Sequence, residues 1–175
     1  RRGTRSSDGD GDASTDTITP PPDDHEATPE DLMSAAEREN RAGVESELLD
    51  RLRALDPTAF ERLVLNVLTG MGYGGKSGAV EHTGKIGDGG IDGLIRQDPL
   101  GLDRIYMQAK RYSAENSVGR PAIQAFVGAL HGQQADRGVF LTTSTYSREA
   151  VEYTRFLRER IVLIDGRELA RLMVD

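Results

Sequence analysis

Three polar residues fall in segments that otherwise read as core strands. They are Asp92 in GDGGIDG (87–93), and Gln108 and Lys110 in YMQAKRY (106–112). A carboxylate or an ammonium buried without a partner is costly. Either these groups satisfy one another as structure, or they form a site. As a site, the set suits metal-assisted hydrolysis of a phosphodiester. A Mg²⁺ ion takes hard oxygen ligands: carboxylate, amide or carbonyl oxygen, water and substrate phosphate. Asp92 offers the charged ligand, and Gln108 or the Ala109 carbonyl a neutral one. The metal would lower the pKa of its bound water and stabilise charge developing on the phosphate. Lys110, a point charge on a flexible stem, can orient that water or neutralise the phosphate. Glycines on both sides of Asp92 permit close backbone approach. As bare spacing the triplet is weak, because an Asp–Lys pair at a sheet edge is an equally good reading.

The elements around the triplet decide whether its members can meet. DPLG (98–101) is turn chemistry, with Pro99 presetting its φ and Gly101 free to take a positive one. A three-residue loop at 99–101 places Asp92 opposite Gln108 in a hairpin, and directly opposed residues share a face. Lys110, two residues further, joins that face. A bulge at Gly93 would break this register.

Helix and strand signals extend the hairpin into a domain. DPTAFERLVLNVLTGMGY (56–73) opens with Asp56 as cap and Pro57 in the first turn. Phe60, Leu63, Val64, Val67, Leu68 and Met71 recur on one helical face. GAVEHT and GGIDGLIR read as short strands, and DRIYMQAKRY as a third. After them come a helix (RPAIQAFVGALHGQQAD), a buried strand (RGVFLTT), a helix capped by Ser147 (SREAVEYTRFLRER), a strand (IVLID) and a closing helix (GRELARLMV). The order α-β-β-β-α-β-α-β-α predicts an α/β domain, a mixed β-sheet flanked by helices, over 56–175. TPEDL predicts a charged helix over 29–55 that links to it, with Thr28 as its cap. Residues 1–28 are rich in Gly, Ser, Asp and Pro, and read as a disordered acidic linker.

Composition narrows the functional classes. There is no cysteine, so thiolate metal sites and disulfides are excluded. No apolar run approaches a membrane span and no signal-peptide pattern is present, so the expected location is the cytoplasm. The chain opens on Arg1 rather than Met, the expectation being a fragment or a processed product. Its net charge of −7 is unevenly spread. Residues 1–47 hold 5 Lys/Arg against 13 Asp/Glu, and the remainder holds 17 against 16. The folded part is therefore nearly neutral, and locally placed cations would have to meet any nucleic acid.

GDGGIDG, YMQAKRY, VGRPAIQAFVGAL, RGVFLTTSTYSREA and IVLIDGRELA, in that order, resemble the catalytic domain of the Mrr family of type IV restriction endonucleases. That domain is a branch of the PD-(D/E)xK nuclease superfamily. The likeness extends over about 29–175, taking in FERLVLNVLTGMGYGG and, less strongly, the helix before it. It implies the restriction-endonuclease-like fold, cleavage of DNA with Mg²⁺ or Mn²⁺, and modified (methylated) DNA as target. It also implies that a DNA-reading domain lies upstream or that recognition comes from elsewhere. By position, Asp92 matches the metal-binding aspartate and Lys110 the catalytic lysine. Gln108 stands where most of the superfamily has Glu or Asp, a departure frequent in the Mrr branch that leaves one less charge on the metal. Glu61 matches an acidic position able to reach the metal; its plain alternative is a solvated helix flank.

Further candidates are weaker. Lys85, Arg111, Arg120, Gln124 and Ser144 are candidate DNA contacts, with Lys76 and Arg104 also beside the expected cleft. Solubilising surface explains each cation singly, a helix-surface position explains Gln124, and capping explains Ser147 without DNA. Asp88 reads as a turn residue or an outer neighbour of the metal, and His82 and His131 as structural or surface. The rival functions are a repair or Holliday-junction-type nuclease on the same fold, and a non-catalytic DNA-binding or assembly module. Cutting both strands needs two active sites, so a homodimer or higher homo-oligomer on DNA is expected.

Overall fold

Local sequence dictates where the helices begin. The computed structural model describes residues 27–74, 80–83 and 90–175. The linker expected over 1–28 lies, apart from its last two residues, outside them. Helix α1 (Pro29–Ala54) opens on a capping box. Thr28 Oγ1 accepts the Asp31 N–H at 3.2 Å, and the Asp31 carboxylate accepts the Thr28 N–H at 3.1 Å. Its first turns are exposed, Leu32 and Met33 included, and it enters the core only near its end, through Leu52 at 1% exposure. Helix α2 (Pro57–Gly70) is capped by Asp56 and buries Phe60, Val64, Leu65 and Leu68. Met71, expected on that face, is exposed beyond the helix end.

The strands are β1 (Val80–His82), β2 (Gly93–Arg96), β3 (Arg104–Lys110), β4 (Ser117–Val118), β5 (Arg137–Thr142), β6 (Thr145–Tyr146) and β7 (Arg160–Ile164). Five of them form one mixed sheet in the order β1-β2-β3-β5-β7. β1, β2 and β3 make an antiparallel meander; β3, β5 and β7 run parallel. The parallel strands are connected through α3 (Arg120–Gly132) and α4 (Arg148–Thr154), and α5 (Gly166–Val174) closes the chain. β4 and β6 pair with each other alone, a ribbon absent from the sequence reading.

Alternation along the strands divides the core into two layers. Met107, Ala109, Val139 and Leu141 pack with residues of α1, α2 and α5. Tyr106 and Phe140 pack with residues of α3 and α4. Gly138 lets α3 close on the sheet, since a Cβ there would stand 2.7 Å from the Phe126 ring. By the same alternation Gln108 and Lys110 share the face of Tyr106.

Two helices are shorter than expected: RPAIQAFVGALHGQQAD predicts one to residue 136, but α3 ends at Gly132. SREAVEYTRFLRER predicts a helix to about residue 160, but α4 ends at Thr154. Phe156 beyond it is exposed and buries nothing that could extend the helix. The Arg160 N–H instead donates to Asp136 O at 2.7 Å, drawing the chain into the ladder beside β5.

Candidate active site

The hairpin register holds where it forms: Gly93 faces Met107, and pairing continues to Arg96 and Arg104. Gly101 takes φ +70°, as the turn requires. Asp92 itself leaves the ladder, so the expected pairing with Gln108 is not made. Its N–H donates to Met107 O at 2.8 Å, so Asp92 and Gly93 both address Met107, the signature of a bulge. Leu65 packs against Gly93, where a Cβ would stand 2.6 Å from Leu65 Cδ2. The bulge turns the Asp92 side chain back onto β3, where Oδ2 accepts the Ala109 N–H at 2.8 Å.

Asp92 is not paired off as structure. Among the described residues it makes no direct ion pair with Lys110, which acts on it through space. Burial is the largest influence on its carboxyl and pushes the pKa up to about 6. The Ala109 N–H opposes that rise, the Glu61 charge adds to it, and Lys110 and His82 draw it back. Glu61 projects from the second turn of α2, with its side chain 19% exposed. His82 Nε2 lies 3.0 Å from Glu61 Oε2.

Gln108 is 5% exposed, yet its Oε1 meets no donor among the described residues. An unpartnered buried acceptor costs about 1–3 kcal/mol. Gly90, at φ +96°, holds the amide from one side; a Cβ there would meet Gln108 Nε2 at 2.4 Å. Lys110 ends β3, half-buried. Its carbonyl accepts the Thr142 hydroxyl at 2.8 Å and the Thr143 N–H at 3.3 Å.

Among the described residues no three His, Cys, Asp or Glu side chains form a ready metal cluster. The described residues offer a cation the Asp92 and Glu61 carboxylates, with neutral oxygens beside them. The desolvated Asp92 carboxylate, within the field of Glu61, and the unpartnered amide oxygen of Gln108 on β3 are oxygens of the kind a hard divalent ion takes.

The outer candidates divide. Arg111 is exposed and its guanidinium donates to Arg53 O at 2.8 Å. Arg120 lies over the Tyr153 ring at 4.8 Å from its centroid, and Gln124 is exposed on α3. Ser144, expected to meet DNA, is only 2% exposed, and its hydroxyl donates to Asn116 O. Its neighbours are spent likewise: Thr143 Oγ1 donates to Tyr112 O and accepts the Tyr112 N–H. These hydroxyls pin the loop after Lys110 rather than line a surface. Arg104 belongs to the other end of β3, where Nε donates to Gly101 O, and does not flank the site. Lys85, Lys76 and Asp88 lie outside the described residues. His131 contacts Glu159, apart from the site. His82, read as structural or surface, sits on β1 opposite Gly93 and meets Glu61, a contact that no local sequence signal declares.

Comparison with known proteins identifies the family and the fold. The family model described as "Mrr_cat: Restriction endonuclease" matches residues 52–173. The "Type IV methyl-directed restriction enzyme EcoKMrr" of Escherichia coli (strain K12) is 46% identical over 156 residues, covering 87% of this chain and 50% of that protein. The chain thus spans about half the length of this curated relative. Two solved structures share the fold. The DNA modification-dependent restriction endonuclease AspBHI aligns with TM-score 0.61 at 21% identity, over 75% of this chain and 35% of its own. The MspJI restriction endonuclease, solved in complex with a 27-mer oligonucleotide, aligns with TM-score 0.53 at 24% identity, over 74% of this chain and 31% of its own. With its family model running from the end of α1 almost to the end of α5, this chain belongs to the Mrr_cat restriction endonuclease family.

Proposed function

We propose that this chain is the catalytic domain of a type IV site-specific deoxyribonuclease, which hydrolyses phosphodiester bonds of modified (methylated) DNA with Mg²⁺ or Mn²⁺. The observation that carries the reading is a desolvated Asp92 beside the like charge of Glu61, with an unpartnered Gln108 oxygen on the same strand as Lys110. As structure alone this arrangement is unfavourable in each part: like charges repel and a buried acceptor goes unmet. A divalent cation among these oxygens offsets both costs and the desolvation of Asp92. Enzymes of this family generally use such a metal.

When bound, the cation would supply an acidified water and offset the charge that grows on the phosphate. Asp92 keeps one oxygen on the Ala109 N–H, which fixes its rotamer and leaves Oδ1 as a ligand. Glu61 and Gln108 Oε1 complete the protein oxygens, one charged and one neutral. Lys110, held by the β3 ladder, presents its ammonium to the non-bridging phosphate oxygens or to the attacking water. Phosphate contacts from Arg111 and Arg120 would position the duplex without reading its sequence. Modified DNA as the substrate rests on relatives named methyl-directed and modification-dependent. Two copies on one duplex would supply the two active sites that a double-strand cut needs.

Cleavage of matched methylated and unmethylated plasmid by the full-length protein, with Mg²⁺, Mn²⁺ or EDTA, tests the reading. Methylated plasmid should be cut in a metal-dependent way, and Asp92→Ala and Lys110→Ala should each slow cutting by ~100-fold or more while keeping the fold. Parental rates in either variant would mean that the site lies elsewhere.

A further inference from the structure

Glu61 and Asp92 are like charges held near one another, and a glutamate side chain free to turn would move its charge away. Something must hold it. Glu61 is carried by α2, and the group that reaches it is His82, on the neighbouring strand β1. His82 Nε2 stands 3.0 Å from Glu61 Oε2, and among the described residues no donor meets Oε1. β1 is itself tied to the site: His82 pairs with Gly93, and the next residue, Thr83, donates its N–H to Asp92 O at 3.1 Å. The imidazole thus rides on the strand that flanks the metal-binding aspartate, not on the helix that carries the glutamate.

We infer that His82 is a positioning residue, which donates from Nε2 to Glu61 Oε2 and so keeps the other glutamate oxygen beside Asp92 as a metal ligand. This rests on the metal-site reading above. The same contact sets the ring's tautomer, because an Nε2–H that donates to a carboxylate leaves Nδ1 as the acceptor, or as a second donor in the imidazolium. Outer partners of this kind commonly change metal affinity by about 10–100-fold when removed, because the ligand they orient loses its preferred rotamer.

The test is calorimetric titration of Mn²⁺ into the chain, without DNA, for the parent and for Asp92→Ala, Glu61→Ala, His82→Ala, His82→Gln, His82→Asn and the double variant Glu61→Ala/His82→Ala. His82→Ala should weaken Mn²⁺ by about tenfold or more. His82→Gln, whose amide nitrogen reaches about as far as Nε2, should restore most of that loss, and the shorter His82→Asn should not. On the Glu61→Ala background, loss of His82 should cost nothing further, since its effect passes through the glutamate. An unchanged affinity in His82→Ala, or an equal loss on both backgrounds, overturns the inference. Should His82→Ala fail to fold, the Gln and Asn variants give the same comparison, and equal affinities in those two also overturn it. Asp92→Ala reads the premise separately: if it binds Mn²⁺ as the parent does, the metal site is misplaced, whatever His82 does.

Discussion

Gly90→Ala separates the cost of a strained backbone from the loss of a metal ligand. Gly90 has φ +96°, and alanine there costs about 1–2 kcal/mol of backbone strain. The new methyl would also stand 2.4 Å from Gln108 Nε2. A carbon–nitrogen contact settles near ~3.5 Å, so the amide must retreat by about 1 Å. Gly72 is the matched control: its φ is +93°, and a Cβ there meets nothing within 4 Å. Both variants should therefore lose about 1–2 kcal/mol, or about 2–8 °C in Tm for a chain of this size. Gly90→Ala alone should lose Mn²⁺ affinity, by roughly 10–100-fold, because a ligand moved by that distance no longer fits a site set by Asp92. Thermal melts of the apo proteins and calorimetric Mn²⁺ titration read the two effects apart. If Gly90→Ala melts like Gly72→Ala and binds Mn²⁺ within about threefold of the parent, under 1 kcal/mol, then Gly90 does not hold Gln108 for the metal.

Asp92→Asn should raise the apo Tm at neutral pH. The folded carboxyl titrates near 6 against an ordinary 3.8, so the native state holds the proton more tightly than the unfolded chain. The parent therefore carries the full cost of the charge above about pH 6 and sheds it towards pH 4; the Tm gap should close over that window, and a gap independent of pH would mean that Asp92 is not desolvated. Gln108→Glu should keep or strengthen Mn²⁺ binding by restoring a carboxylate, and an unchanged affinity would count against the residue 108 side chain as a ligand. Gly138→Ala should destabilise by about 1–3 kcal/mol through overpacking against Phe126, with Mn²⁺ affinity unaltered. A Tm equal to the parent's would show that α3 can retreat from the sheet.

Much of the scaffold is legible because its signals are local. Asp56–Pro57 and Ser147 are cap chemistry, and the buried faces of α2 and α3 repeat at helical spacing. The DPLG turn sets the hairpin register down to Gly93. One residue further it fails at the Asp92 bulge, which a glycine at 93 permits but the turn spacing does not require. β4 and β6 are two residues each, too short for any alternation to declare itself. The hydroxyls of Thr142, Thr143 and Ser144 looked free because the strand ends there. Their partners are Lys110 at the end of β3 and Tyr112 and Asn116 in the loop after it, distant in sequence and fixed only by the parallel pairing of β3 with β5. The Glu61–His82 contact escaped for the same reason: helix and strand meet only in the folded chain.

The end of α1 is stitched to the strand that carries Lys110. Arg111, the next residue, donates to Arg53 O, while Arg53 Nε donates to Thr143 O at 3.2 Å. At 26 residues, α1 is a rod of about 39 Å, clamped from Arg41 on and bare over its first turns. Mechanically it is a cantilever, free over its first turns, then held against α5 through Arg41–Asp175 and beside β3 through Arg53 and Arg111. A body attached to the free end, or a partner gripping Leu32 and Met33, would therefore have its orientation registered at α5 and beside β3 through these guanidinium contacts.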